Sequence, residues 1–271
     1  MKKLIICDMS GIITRKGFIN TELLKTLENL KNFDFSFCTG KGYYGGLAVL
    51  KEINIHYPFI CENGSVLVTK DGKIVYNDKM DAEESVNLIK NIVKRYSFEF
   101  LAYVDLKTHK YKFLRGNKKL TEDLTQPWFY SEEIYDDVDL FLENIDINNI
   151  CRITTRGLNY NVKNKDKIFE NFHVVVSENE FHSICNKNIN KGFGVEKISN
   201  LLNIDLNKIL IIGNDMNDID MFKLNCYLKV ATGYDKPPQE LINLSDKYIP
   251  LNDLPTFLKK IDNEIEMWYN F

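Results

Sequence analysis

The sequence predicts an α/β fold in which a parallel-sheet core is split around an inserted α+β module. Three observations carry that prediction. Short apolar runs alternate with helix-period segments over residues 3–61 and resume after residue 187, the alternation of a parallel sheet. In between, strand patterns follow one another directly with helices interleaved, as in an α+β unit. Finally, two apolar runs, Leu4-Ile5-Ile6-Cys7 and Ile209-Leu210-Ile211-Ile212, end in polar turns at Asp8 and at Gly213-Asn214-Asp215-Met216-Asn217-Asp218. Such strand ends form the edge at which open α/β sheets bind ligands.

Taken in order, the run ending at Asp8 reads as a buried parallel strand, apolar on both faces. Residues 21–31 have helix periodicity, 34–38 read as a strand, 45–53 as a helix and 58–61 as a third strand. Strands over 66–69 and 73–77 flank Asp71-Gly72, a tight hairpin signal. Asp81, followed by Glu84, opens a helix to about residue 96 as a variant of the capping box. Aromatic, alternating strands come next at 98–104 and 111–115, then polar helices, a strand over 150–155 and short strands at 174–177 and 181–185. Residues 192–202 return to helix period, and 208–212, 226–231 and 247–249 to short buried strands. Phe257, Ile261, Ile265 and Trp268 stand at helical spacing, which predicts a closing helix docked on the core, with a dimer contact as the alternative. The expected division is a core of 1–80 plus 187–271 and an inserted module of 81–186.

A chain of 271 residues, 44% hydrophobic and 27% charged, has room for one large domain or two modest ones, each with its own core. The formal net charge of -3, with lysines dispersed among acids, leaves no electrostatic footprint for nucleic acid. No window reaches membrane-spanning length, and Asp8 cuts the first apolar stretch far short of a signal peptide. The six cysteines show no Cys-x-x-Cys pair and no His at zinc-ligand spacing, so they read as small buried hydrophobes of a reducing cytoplasm. The expectation is a cytoplasmic monomer or homodimer without nucleic-acid or membrane partners.

Asp8, on a rigid strand end with a glycine turn behind it, suits two roles: nucleophile toward phosphorus and hard ligand for Mg2+. Other polar groups follow later strands: Thr39-Gly40-Lys41, Lys191-Gly192 at a helix start, and the 214–218 turn. Together they offer a hydroxyl donor, ammonium charges and a divalent-cation site, the means of neutralising a transferring phosphoryl group.

With these residues in that order, the chain resembles the haloacid dehalogenase superfamily, in its Cof-like sugar-phosphatase branch with a large inserted cap of the C2 type (class IIB). The resemblance runs over nearly the whole length. It rests on Asp8-Met9-Ser10-Gly11 as first motif, Thr39-Gly40-Lys41 where the family usually has Thr-Gly-Arg, and Glu62-Asn63-Gly64 after the third strand. Asn190-Lys191-Gly192 and the 213–218 turn continuing into Ile219-Asp220-Met221 stand as the third and fourth motifs, and Val230-Ala231-Thr232-Gly233 as the final strand turn. It implies a Rossmann-like core, an aspartyl-phosphate formed at Asp8, and Mg2+ held by Asp8, the Ser10 carbonyl, Asn214 and Asp218, with Asp215 as an alternative ligand. It also implies Asp8, Ser10, Thr39 and Lys191 as catalytic positions, and a phosphorylated small metabolite held by Thr39, Gly40, Lys41, Asn63, Lys191 and Asn217. His182 and Arg152 are added as substrate-contact candidates from the inserted module.

Two positions depart from the family pattern. Asn214 replaces a carboxylate with a neutral oxygen. Ser10 replaces the second Asp of the first motif, which normally protonates the leaving alcohol and later activates water. Loss of such an acid/base costs about 10²- to 10⁴-fold in rate, or roughly 3 to 5.5 kcal/mol of barrier. The expected activity is therefore hydrolysis of phosphate esters or activated phosphates, impaired for alkyl phosphates. The alternative is a degraded family member that binds a phosphorylated ligand without efficient turnover.

Several features also admit other readings. Gly40-Lys41-Gly42-Tyr43-Tyr44-Gly45 matches the dinucleotide fingerprint Gly-x-Gly-x-x-Gly, with Glu62 after the next strand, and so offers an NAD-dependent oxidoreductase as a distant rival. It lies on the second βα turn and leaves Asp8 and the acidic turn unexplained. An EF-hand reading of residues 214–220 fails for want of the alternating oxygens and central glycine. Asp8 alone also fits a turn residue, and Thr39 and Lys191 alone fit solvated turns. Arg152, Thr154 and Arg156 alternate on one strand face, suited to a second anionic group of the substrate or to solvent.

Overall fold

The computed structural model of the protein describes residues 2–121, 131–161, 166–177 and 180–269. The chain begins with β1 (Lys3–Asp8), a small hairpin of β2 (Thr14–Arg15) and β3 (Phe18–Ile19), α1 (Thr21–Glu28), β4 (Phe33–Cys38) and α2 (Tyr43–Glu52). It continues through β5 (Phe59–Cys61), β6 (Val66–Val68) and β7 (Ile74–Asn77). Then come α3 (Ala82–Arg95), β8 (Phe100–Val104), β9 (Tyr111–Arg115), β10 (Ser131–Tyr135), α4 (Val138–Asn144), β11 (Ile153–Arg156), β12 (Phe172–Ser177) and β13 (Phe181–Asn186). The last stretch is α5 (Lys191–Leu202), β14 (Ile209–Gly213), α6 (Ile219–Phe222), β15 (Leu228–Ala231), α7 (Gln239–Leu244), β16 (Lys247–Tyr248) and α8 (Leu254–Tyr269).

The larger sheet runs β16-β15-β14-β1-β4-β5-β6-β7. It is parallel from β16 to β5 and antiparallel at β6 and β7, whose tight turn has Gly72 at φ +86°. The uninterrupted apolar strands follow from burial on both faces. Ile5 and Cys7 of β1 pack with Leu23 and Leu27 of α1, Val49 of α2 and Leu258 of α8, whereas Leu4 and Ile6 pack with Val195 and Ile198 of α5. One residue of alternation sends each side chain to the opposite layer.

The smaller sheet, β10-β9-β8-β11-β13-β12, is antiparallel except for the β10–β9 pair. Its two faces divide the inserted module. Leu101, Tyr103, Ile153 and Ile184 pack against Leu88, Ile89 and Ile92 of α3 and Phe141 of α4. Phe100, Ala102, Val104, Tyr111 and Phe113 join instead the same apolar cluster as the α1 face of the large sheet.

Most predicted elements appear with shifted ends. The strand expected over 150–155 is β11, and the helix expected from residue 45 begins at Tyr43. β10 and the β2–β3 hairpin are additions: β10 pairs in parallel with β9, a non-local contact, and β2 and β3 are too short to carry a period. Asp81 caps α3 as expected, its Oδ1 accepting from Glu84 N–H at 2.9 Å. α8 docks as predicted through Phe257 and Ile261, and buried Asp262 accepts from the Lys31 and Asn32 amides at 2.9 and 2.8 Å. The Ile265 and Trp268 side chains lie outside the described residues.

Candidate active site

The register of the large sheet assembles the site. Asp8 is paired with Cys38 at the end of β4, Cys7 with Ile212 in β14, and Gly213 with Ala231 in β15. Asp8, Thr39, Asn214 and Thr232 therefore leave neighbouring strands at one edge, the ligand edge of a parallel sheet.

Lys191 reaches this edge from the first turn of α5, which Asn190 caps through an Oδ1 that accepts from Phe193 N–H at 2.9 Å. Its Nζ donates to Asp8 Oδ1 at 2.7 Å and to Asp218 Oδ1 at 2.6 Å. All three side chains are buried. Burial, followed by the Asp218 charge, pushes the Asp8 carboxyl up to about 7, while Lys191 pulls it down. Burial alone would lower the Lys191 pKa, but Asp218 and Asp8 outweigh it and hold the ammonium above its ordinary value.

The acidic turn divides its oxygens by function. Asp218 Oδ2 accepts from the Asn214 and Asp215 amides at 2.8 and 3.1 Å, so Asp218, expected as a cation ligand, has both oxygens committed instead to Lys191 and to its own turn. Asp215 Oδ1 accepts from Met216 N–H at 2.7 Å and caps the same turn. Asn214 is the residue that faces Asp8. The end of its amide stands 3.0 Å from Asp8 Oδ2 and 2.9 Å from the Ser10 carbonyl oxygen. With nitrogen there, the amide donates to both; with oxygen there, three oxygens converge with no hydrogen among them. Oxygens about 3 Å apart are what a six-coordinate cation with bonds of about 2.1 Å gathers on adjacent positions. A carboxylate, a main-chain carbonyl and an amide oxygen thus fit a hard divalent cation. Among the described residues no three His, Cys, Asp or Glu side chains gather for a metal, so this donor set would draw on amide and main-chain oxygen. Gly11, at φ +79°, is required beside it, because a Cβ there collides with the Asn214 amide.

The second turn closes the site. Thr39 is fully buried, and its Oγ1 accepts from Lys41 N–H at 3.1 Å. Asn63 N–H donates to the Thr39 carbonyl at 3.1 Å, and Asn63 Oδ1 accepts from Asn217 at 3.3 Å. Among the described residues Asn217 Oδ1 is buried without a partner, available to a ligand. The structure therefore gathers Asp8, Ser10, Lys191, Asn214 and Asp218 in one contact group and Thr39, Gly40, Lys41, Asn63 and Asn217 in a second, the two adjoining where Asp8 pairs with Cys38 and where Asn217 precedes Asp218.

A family model of haloacid dehalogenase-like hydrolases matches residues 5–234, a span that contains every one of these positions. The chain belongs to the haloacid dehalogenase-like hydrolases. Its relatives are distant. A Buchnera aphidicola protein that carries a phosphatase name is 24% identical over 83% of this chain and 82% of its own length. The 5-amino-6-(5-phospho-D-ribitylamino)uracil phosphatase of Escherichia coli is 21% identical over 82% of each. A solved sugar phosphatase of HAD subclass IIB superposes with a TM-score of 0.74 at 14% identity, covering 97% of this chain and 98% of that one. A HAD/COF-like hydrolase from Plasmodium vivax gives 0.75 at 18% identity, covering 97% and 96%. These superpositions show the same fold, cap included.

Within this haloacid dehalogenase-like hydrolase, two candidates from the inserted cap lie elsewhere than expected. His182 is buried on β13 with its Nδ1 3.2 Å from the Glu180 carbonyl oxygen. It alternates with Phe181 and Ser183, which face the core side, and so shares with Ile184 the face packed against the cap's own helices. Arg152 does face the core, together with Thr154 and Arg156, but its guanidinium is buried and paired with Glu62, its NH2 2.6 Å from Glu62 Oε2. That commits it to protein and removes it as a reader of a second substrate anion.

The glycine fingerprint has its own cause in this hydrolase. A Cβ at Gly40 would stand 2.9 Å from Asn63 Oδ1, at Gly42 2.5 Å from Glu62 Oε1, and at Gly45 2.7 Å from Lys41 Cβ. The glycines admit neighbouring side chains of the protein itself, so the spacing needs no pyrophosphate. Glu62 and Tyr111 are the site residues that sequence reasoning missed as a pair. A Glu directly after a buried strand was the available signal, since such a charge needs a buried partner.

Proposed function

We propose that the chain is a Mg2+-dependent phosphohydrolase of a small phosphorylated metabolite, acting through an aspartyl-phosphate at Asp8 and favouring substrates whose leaving group needs little protonation. The observation that carries this reading is the buried Asp8–Lys191–Asp218 chain at the strand edge, with Asp8 Oδ2 turned toward Asn214 and the Ser10 carbonyl. In the first step an Asp8 carboxylate oxygen bonds to phosphorus as the bond from phosphorus to the leaving oxygen breaks. In the second, water attacks phosphorus, Asp8 departs as carboxylate, and inorganic phosphate leaves. Lys191, fixed by Asp218, holds Asp8 in place and neutralises charge beside it; Thr39 and Lys41 bind the phosphoryl oxygens, while the open Oδ1 of Asn217, an acceptor, receives a substrate hydroxyl. Mg2+, held by Asp8, Asn214 and the Ser10 carbonyl, would neutralise the phosphate and keep Asp8 ionised against the effect of burial. In this reading residues 1–80 plus 187–271 form the phosphotransfer core, and the cap, 81–186, closes over it and excludes water.

Ser10 offers no carboxylate to protonate an alcohol, which supports the preference for acyl, anhydride or aryl phosphates. Steady-state assay of acetyl phosphate, an aryl phosphate and a sugar phosphate tests it, with Asp8→Asn abolishing turnover of all three. Equal, strong hydrolysis of the sugar phosphate refutes the preference. The same residue favours a second reading, a ligand-binding protein with degraded turnover. Ser10→Asp separates the two: a rise in alkyl-phosphate turnover of about 10²-fold or more marks an otherwise intact active site, and no rise marks a binder.

A further inference from the structure

Two cap side chains terminate on the core's second turn. Arg152 NH1 donates to the Gly40 carbonyl, and its NH2 lies 3.3 Å from the Tyr111 hydroxyl and 2.6 Å from Glu62 Oε2. The Tyr111 hydroxyl accepts from Gly42 N–H at 3.0 Å and donates to Glu62 Oε1 at 3.1 Å. The main chain on either side of Lys41, directly after Thr39, is thus held at one carbonyl and one amide by residues from the inserted cap. Glu62 joins the two from the core side, on a backbone at φ 53°. Arg152, Glu62 and Tyr111 are 4%, 2% and 9% exposed. A charge pair so deeply buried is a net cost unless its geometry and remaining hydrogen bonds are satisfied, and here the turn supplies one of those bonds, at the Gly40 carbonyl, and the Tyr111 hydroxyl, itself held by the Gly42 amide, supplies another. Within the core the turn is held at Lys41, whose N–H donates to Thr39 Oγ1 and whose carbonyl accepts from Glu62 N–H, both at 3.1 Å, so the flanking Gly40 carbonyl and Gly42 amide take their restraint from the cap. A side chain at Gly42 is excluded by Glu62 Oε1 and by the Tyr111 hydroxyl, 2.5 and 2.9 Å from the place of a Cβ.

We propose that Arg152 and Tyr111 are positioning residues of the phosphate site: the docked cap sets the main chain of the Thr39-Gly40-Lys41-Gly42 turn, so the core's grip on phosphate is complete only when the cap is closed. The inference rests on the phosphohydrolase reading. It assigns the cap a part in binding the phosphoryl group common to all substrates, apart from any reading of the leaving group. Cap opening would strip the turn of both restraints and leave the Glu62 carboxylate without its cation, so closure, pairing and turn geometry form one event.

The test is the binding of inorganic phosphate in the presence of Mg2+, by titration calorimetry, for the wild type, Tyr111→Phe and Arg152→Lys. KM and kcat for an aryl phosphate and the melting temperature are measured alongside. Tyr111→Phe keeps the ring packing and is expected to weaken phosphate binding and raise KM about tenfold, the worth of one hydrogen bond, with a smaller change in kcat. Arg152→Lys keeps the charge opposite Glu62 but not the reach to Gly40, and is expected to weaken phosphate binding by at least as much. A purely structural role would lower the melting temperature and leave the phosphate affinity of the folded protein unchanged. Folded Tyr111→Phe that binds phosphate within twofold of a binding-competent wild type overturns the inference alone; a wild type that binds no phosphate overturns the phosphohydrolase reading and this inference together.

Discussion

At Asn214 the identity of one atom decides the cation chemistry. Asn214→Asp places a second carboxylate oxygen 3.0 Å from Asp8 Oδ2 and 2.9 Å from the Ser10 carbonyl, with no amide hydrogen to bridge them. At an effective dielectric of about 20, two unit charges 3.0 Å apart repel by about 5.5 kcal/mol. Side-chain relaxation and a proton shared between the carboxylates relieve much of this, which leaves an expected loss of about 2 kcal/mol in the metal-free protein. Mg2+ reverses the sign, because the added charge becomes a ligand. Binding to the folded state alone stabilises by RT ln(1 + [L]/Kd), about 2.7 kcal/mol at a hundredfold excess over Kd. Urea unfolding of both proteins is measured in chelator and across a Mg2+ titration. The variant should unfold earlier than the wild type in chelator and gain more stability from Mg2+, with a Kd lower by about tenfold, or roughly 1.4 kcal/mol. Equal stabilities in chelator, or an equal response to Mg2+, would refute the placement of Asn214 in the cation site.

Lys191→Met should cost about 3 to 5 kcal/mol, because it leaves two buried carboxylates without their shared cation; urea unfolding checks this, and a loss below about 1 kcal/mol means the ammonium is not the bridge. Adding Asp218→Asn to that variant should recover part of the loss while turnover stays absent. Gly42→Ala forces a Cβ to within 2.5 Å of Glu62 Oε1 and is expected to cost about 1 to 3 kcal/mol as an overpacked site. Its KM should rise more than its melting temperature alone accounts for, and a wild-type KM would show that the turn does not bear on phosphate.

The legible part of the fold and site was local in sequence. Asp8, Thr39, Lys191 and the 214–218 turn each follow an apolar run or open a helix, so a strand-end reading places them at one edge before any tertiary contact is known. The role of Asp215 was not legible, because Asn214 and Asp215 are adjacent acceptors, and only the turn's hydrogen bonds show that one faces Asp8 and the other caps. His182 was misplaced because it lies before Lys191 in sequence, whereas strand alternation turns it to the far face of the cap sheet. β10 is not legible in the sequence because its partner is β9, and the parallel pairing leaves no hairpin signal between them.

The sequence by itself determined the parallel core, the interruption by an α+β module, and the Ser10 substitution that conditions the chemistry, because strand burial and motif identity are properties of short segments. The tertiary structure alone decided that Arg152 is a partner of Glu62 instead of a reader of substrate, and that Tyr111 touches the turn after Thr39. A buried charge is stabilised by whichever group folding brings within hydrogen-bond reach. For Glu62 that group is 90 residues away, at the entry to a strand of the other sheet.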